Sequence, residues 1–426
     1  MSSHAELLAY LESLPVVDTH EHLPFERERL AQNVDFATLF SHYCRDDLWA
    51  AGLTNPQMEL LFGAASVERK WEVLSPFLPR TETSAYMRAA RLAMAHFYGV
   101  DELRTLQDAQ LVTERIRAAN APGLYERVFR DCGIRRVVNC NDGTLEPPTL
   151  HSVKFIGEYA QLYHRNQVLS WEARWDRPLP TLRHYTQALL EALAADLRAG
   201  VTGFKTSQAY VRALDYDAAT EHEAQKAYDS LWTDTATWSP IGLDNAASKP
   251  LEDYLTRRIV EFAGDNGVPM VIHVGFQTGQ DMRLDNARPH RLLDLLRRYR
   301  HTRFAMLHGG LPWVHEGAVM ARQLPNLSVD MGWMHIMCPE LAVQSLKYCF
   351  DMVPSSKVMG FGGDYSVVEK IYGHLHIARR NIARALSDRV DEGAMTLPQA
   401  RRWCRALMHD SADSFYGLGL GALPED

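Results

Sequence analysis

Cysteine is scarce in this chain and never paired at short spacing. Cys44, Cys132, Cys140, Cys338, Cys349 and Cys404 are scattered, with no CxxC among them. This argues against a disulfide framework and suits a reducing compartment such as the cytoplasm. Long apolar runs are also missing, and no stretch approaches the roughly 18 residues needed to cross a bilayer. The leading MSSHAELLAYLESLP carries His and Glu and lacks the basic-then-apolar order of a signal peptide. A soluble, cytoplasmic protein without a membrane role is expected. An excess of one charge is absent too: 45 Lys and Arg against 53 Asp and Glu leave a net charge of −8. A nucleic-acid surface needs concentrated basic residues. The Arg-rich LLDLLRRYRHTR, residues 292–303, reads as one solvated helix face. Phosphate-loop spacings, a Gly-x-Ser-x-Gly elbow and a cysteine nucleophile signature are likewise missing.

What is present is alternation. Short apolar runs read as buried strands: PVVDTH (15–20), IRRVVN (134–139), VLSW (168–171), VTGFK (201–205), PMVIH (269–273), RFAMLH (303–308), NLSVD (326–330) and KVMGF (357–361). Between most of them lie stretches with apolar residues at helical spacing, several ending in Gly, a common helix stop. Strands alternating with helices pair in parallel through right-handed crossovers. Eight of them predict an α/β fold, a (β/α)8 TIM-like barrel, with an open doubly wound sheet as the alternative. The 426 residues then form one barrel domain interrupted twice. Residues 31–130 contain no convincing strand and read as a helical insertion, and 206–249 as a long loop insertion. Such excursions at the C-terminal ends of barrel strands are where pockets are built.

The chemistry gathers at strand ends. In VVDTHEHL (16–23), Asp18, His20 and His22 alternate along a strand, so a period of two sends them to one side. Two imidazoles there can converge on one divalent ion. Glu21 points away from them. His273 closes PMVIH, His308 closes RFAMLH, and Asp364 follows KVMGFGG. In a barrel these ends share one rim, so the four groups meet around one axis. Lys205 closes the fourth strand, and Arg174 in WEARWD follows the strand assigned to VLSW. Its guanidinium either holds a substrate carboxylate or makes a salt bridge at the barrel mouth. Trp313 and His335 fall just past strands six and seven, and Tyr365 follows Asp364; each is read as lining the pocket or packing beside it. His374 and His376, two apart in a helix, splay and carry no second metal.

These residues resemble the amidohydrolase superfamily in its amidohydrolase-2 branch. The likeness spans the HEH motif, IHVGFQTG (272–279), LHGGLPWVHE (307–316), FGGDYSVVEKIYGH (361–374) and HDSADSFYGL (409–418). The helical insertion is similar in style to uronate isomerases, through LFSHYCRDDLWAAGL (39–53), FYGVDEL (97–103) and VVNCNDG (137–143). Where that family shows Asp-Ser-Arg after its last strand, this chain has Asp364-Tyr365-Ser366. The resemblance implies His20, His22 and Asp364 as metal ligands with His273 as a further one. The ion is taken as Zn²⁺ by default for a His/Asp set, with Mn²⁺ or Fe²⁺ as alternatives. It also implies Asp364 as the base acting on water, and His308 and His273 as partners in charge stabilisation or proton transfer. In some superfamily members a carboxylated lysine after the fourth strand bridges two metals; here Lys205 is read as anion-binding or structural. The expected activity is metal-dependent hydrolysis of an amide, lactone or related C–N or C–O bond in a small, carboxylate-bearing substrate. Uronate isomerisation is the first alternative and decarboxylation the second. Homo-oligomers are common in the family and are expected here.

Overall fold

The computed structural model describes residues 2–140, 149–233 and 247–425. Residues 141–143 of VVNCNDG and 234–246 of the second insertion therefore lie outside the described residues, while Glu221–Thr233 of that insertion is a helix rather than a loop. Eight strands form one parallel sheet in sequential order: β1 (Val16–Glu21), β2 (Ile134–Asn139), β3 (Leu150–Phe155), β4 (Gly203–Thr206), β5 (Met270–His273), β6 (Phe304–Leu307), β7 (Leu327–Asp330) and β8 (Val358–Met359). The seam between last and first strand is closed by main-chain bonds. Thr19 N–H donates to the Phe361 carbonyl at 3.0 Å, Asp364 N–H to His20 at 2.7 Å, and His22 N–H to Tyr365 at 3.0 Å. The result is the barrel that the alternation predicts.

One strand is misplaced by sequence reasoning. VLSW (168–171) belongs to the helix Arg165–Trp175, where Val168 and Trp171 are buried three residues apart, as one helix face requires. The third strand is LHSVKF, which pairs with Val137–Asn139 on one side and Gly203–Lys205 on the other. Its buried Ser152 and Lys154 conceal it, because a buried strand is expected to read as an apolar run.

Between β1 and β2 the described residues contain helices and no strand. Ala85–Tyr98 shows how this insertion is attached. Ser84 caps it by accepting from Met87 N–H, and Gly99 ends it in a left-handed turn at φ 61°. Its buried Ala89, Ala90 and Ala93 form a flat face against the helix Lys370–Asp391. There Gly373 packs so closely that a methyl group on it would stand 1.9 Å from the Ala89 carbonyl oxygen. A fully buried ion pair adds to the junction: Arg29 and Glu369 meet at 2.7 Å, and Tyr98 donates its hydroxyl to the same carboxylate oxygen at 2.8 Å. The insertion is thus anchored to the helix that follows the Asp364 loop.

Candidate active site

β1 is buried along its whole length and delivers two imidazoles to the barrel rim. His20 Nε2 and His22 Nε2 each lie 3.4 Å from Asp364 Oδ1, and the three ligand atoms fall within 4.8 Å of one another. Lys205, at the end of β4, places Nζ 2.8 Å from His20 Nε2 and 3.2 Å from His22 Nε2. Both imidazole lone pairs therefore already converge on a positive charge. Burial, with Lys205 adding to it, holds the His20 imidazole well below its usual range, so the ring stays neutral and its lone pair remains available. Burial, with Lys205 adding to it and Asp364 opposing, pushes His22 down to about 3; about a third of its side chain (36 %) is exposed, beside an adjoining cavity.

His273 and His308 form a second pair. His308 Nδ1–H donates to the Gly332 carbonyl at 2.8 Å, and His273 Nε2–H donates to the Phe276 carbonyl at 2.8 Å. The nitrogens that remain, His308 Nε2 and His273 Nδ1, face each other at 3.0 Å. Two lone pairs at that distance call for a proton or a cation between them. His308 Nε2 is also 3.7 Å from Asp364 Oδ2, which joins this pair to the first group. The structure brings His273 to His308 rather than into the tight cluster of His20, His22 and Asp364.

The remaining candidates are dispersed. Arg174 lies on the helix that replaces the expected strand, more than half exposed, over the Trp171 ring and 3.9 Å from Glu158. Trp313 is partly buried under Arg288. Tyr365 is fully buried, with its amide held by Glu21. His335 is fully buried behind the Asp364 loop, donating to the Gly360 carbonyl at 2.8 Å. None of these four stands among the candidate ligand atoms, whereas Lys205, the fifth substrate-binding candidate, does.

His335 yields a pH prediction. Burial depresses its imidazole to about 4, only partly offset by the bond to Gly360. An unfolded chain takes up this proton near pH 6.5, which the folded chain refuses until about pH 4. Stability tied to neutral His335 is therefore complete above 6.5 and is lost as the pH falls towards 4. His335→Gln retains a donor without titrating, so its melting midpoint is expected to fall less steeply than wild type across that window. Parallel midpoint curves for the two proteins would refute this.

Sequence reasoning passed over an aromatic wall. Tyr43, from the insertion, stacks on Trp333 at 4.3 Å, and Trp333 meets His308 edge-on at 5.2 Å. Burial and the nearby Asp364 carboxylate push the Tyr43 hydroxyl well above its usual range, so it remains protonated. Tyr43 lies in the segment whose folding no local pattern reveals, and Trp333 adopts a left-handed backbone, φ 65°, that a Trp gives no hint of. Beside His22 opens a cavity of about 640 Å³ between the barrel rim and the insertion, lined by Gln32, Asn33, Thr38, Ser41, Lys70 and Ser366 among others. Lys70 is its one Lys or Arg among the described lining residues, and it is bound to Asp35 at 2.5 Å.

The amidohydrolase family model matches residues 181–418, more than half of the chain. The chain belongs to this family. The matched span includes Lys205, His273, His308 and Asp364, while His20 and His22 precede it. Among curated proteins, the amidohydrolase is 23% identical over 242 residues to Protein fluG of Emericella nidulans. That match takes in 55% of this chain and only about a quarter (27%) of the relative's length. Among solved structures it superposes on a uronate isomerase from Thermotoga maritima with a TM-score of 0.79 at 15% identity, covering 97% of both chains. A glucuronate isomerase from Caulobacter crescentus gives 0.79 at 16%, covering all of this chain and 96% of that one. A candidate metal-dependent hydrolase from Lactobacillus casei gives 0.67 at 18%, covering 97% of both. At these identities the likeness is one of fold. It extends through the helical insertion, since the matches cover 97% or more of this chain. Among the described residues no helix is long and apolar enough to cross a membrane.

Proposed function

We propose that this amidohydrolase hydrolyses an amide, lactone or related C–N or C–O bond of a small molecule, with one divalent ion held by His20, His22 and Asp364. The observation that carries this reading is the convergence of two neutral imidazole nitrogens and one carboxylate oxygen beside a cavity of substrate size. Two nitrogens and an oxygen suit Zn²⁺, with Mn²⁺ and Fe²⁺ also compatible. An ion held there supplies a nucleophilic water at neutral pH and polarises the scissile carbonyl. Asp364 removes the proton of the attacking water and returns it to the leaving group. His308, tied to Gly332 through Nδ1–H, presents its Nε2 lone pair towards His273 and Asp364, so it can stabilise charge on the substrate oxygen only after Nε2 has taken up a proton. A lone pair engaged by Lys205 is closed to a metal, so holding an ion there would require Lys205 to turn away from His20 and His22.

Hydrolysis is favoured over uronate isomerisation by the surroundings of the cavity. A uronate carboxylate needs a cation in the cavity, where Lys70 is already bound to Asp35; Arg174 stands outside the lining, and Lys205 faces His20 and His22 rather than the cavity. Tyr365, where an arginine would fall one residue later in the isomerase pattern, is followed by Ser366. The hydroxyl and amide groups of Gln32, Asn33, Thr38 and Ser41 suit a neutral, hydrogen-bonding end of the substrate. The isomerase reading keeps two supports, the superposition on uronate isomerases and the resemblance of the helical insertion to them.

The test is metal analysis of wild type and His20→Ala, with both proteins assayed on lactones, N-acyl amino acids and uronates. About one equivalent of metal in wild type, lost in the variant together with turnover of a lactone or amide, is the expected result. Turnover of uronates alone would replace hydrolysis by isomerisation. A wild type that takes up no metal on reconstitution would overturn the site.

A further inference from the structure

Glu21 lies between the two candidate histidine ligands in sequence and takes no part in the chemistry above, yet it is fully buried. Its Oε2 accepts from Tyr365 N–H at 2.6 Å. Asp18, also fully buried, accepts from Gly363 N–H at 3.1 Å through Oδ1. The two amides so held flank Asp364 on either side. Asp364 itself has a left-handed backbone at φ 59°, which for a residue other than glycine persists only where its surroundings enforce it. Its own N–H is held by the His20 carbonyl at 2.7 Å. Three consecutive amides of the β8 loop are thus bonded to β1, the strand that carries His20 and His22. The fit is tight: a methyl group on Gly363 would stand 1.9 Å from Glu21 Oε1. From the other side His374 Nδ1 bonds the Gly363 carbonyl at 3.1 Å.

We propose that Glu21, together with Asp18, is a positioning residue that fixes the Asp364 carboxylate in register with His20 and His22. One strand then sets all three ligands, two through its own side chains and the third through a carboxyl clasp on the opposite lip of the seam. The inference rests on the reading of these three residues as a metal site. A purely structural role predicts lost stability with unchanged metal affinity; a positioning role predicts the reverse emphasis. The distinction follows from the general sensitivity of metal affinity to groups that orient ligands, about 10–100-fold on their removal.

The experiment compares wild type, Glu21→Ala and Glu21→Gln by chelator competition for Zn²⁺, by the visible absorption of the Co²⁺ forms, and by the melting midpoint of the metal-free proteins. Gln offers Tyr365 the same acceptor and Ala offers none. Glu21→Ala is expected to weaken metal binding by about 10-fold or more and to alter the Co²⁺ spectrum, while Glu21→Gln stays close to wild type in both. Should Glu21→Ala fail to fold, Gly363→Ala displaces the carboxyl instead and is expected to weaken binding alike, without rescue by Glu21→Gln in the same chain. Glu21→Ala binding metal as wild type does would overturn the proposal, and so would Glu21→Gln binding as weakly as Glu21→Ala. If wild type itself binds no metal, the site reading fails first; if it loads normally and Glu21→Ala loads equally, only the clasp is lost.

Discussion

Asp364→Asn is expected to lower turnover by about 10²–10⁴-fold, the usual worth of a positioned acid–base group, while the protein melts no lower than wild type. The two halves of this result have separate origins. Asp364 occupies a left-handed backbone conformation, φ 59°, in which Asn is as well accommodated as Asp. Its main-chain bond to His20 does not involve the side chain. Asparagine therefore retains the shape of the loop and removes only the ability to take a proton and the negative charge facing His20, His22 and His308. Alanine at the same position should differ, because it adds the cost of a left-handed backbone, roughly 1–2 kcal/mol. The measurements are turnover on the substrate class that responds, metal content, and melting midpoint for both variants. An Asp364→Asn protein with wild-type turnover would show that this carboxylate is not the base.

The largest stability effect is expected far from the chemistry. Glu369→Ala should destabilise the fold by about 3–5 kcal/mol, the range observed when one partner of a buried ion pair is removed. Arg29 is 1% exposed and would retain its charge with Asn120 as a neutral partner. The Tyr98 hydroxyl would lose its acceptor at the same time. Both orphaned groups lie between β1 and β2, Arg29 just before the helical insertion and Tyr98 within it, whereas Glu369 precedes the helix Lys370–Asp391. The damage is thus directed at the junction between insertion and barrel. Urea unfolding of Glu369→Ala, of Arg29→Met and of the double variant provides the check. The double variant should be less destabilised than the sum of the singles, since neither charge is then stranded. Additive effects would mean that the two residues do not stabilise the fold as a pair.

How much of this was legible in the sequence depended on where the information sits. Seven of the eight strands are visible because a parallel strand buried on both faces reads as a largely apolar run, FAML throughout and MVIH up to His273. β3 is missed because Ser152 and Lys154 interrupt that pattern, and VLSW imitates it from within a helix. The convergence of His20, His22 and Asp364 follows from strand order alone, since parallel strands end on one rim. Lys205 belongs to the same group for the same reason. The loss of Arg174 from the rim follows directly from the misplaced third strand. Tyr43 and the cavity were beyond reach, because they depend on how an insertion of helices lies across the barrel, and no local periodicity encodes that. Glu21 stands outside the group formed by His20, His22 and Asp364, but its partner Tyr365, like Asp18's partner Gly363, lies more than 340 residues on.

That separation bears on how the molecule is made. The hydrogen bond from Tyr365 to Glu21 spans 344 residues, so the seam is among the most non-local contacts a chain of this length can form. Contacts of this kind are slow to form, because the intervening chain must be ordered before they stabilise anything. During synthesis His20 and His22 emerge early and wait for a partner that is translated more than three hundred residues later. Until the last strand docks, the first presents an unpaired edge, the form in which nascent barrels are most exposed to mispairing. Sealing that edge and bringing His20, His22 and Asp364 together are one event, so binding of the proposed ion would report that the first and last strands have met.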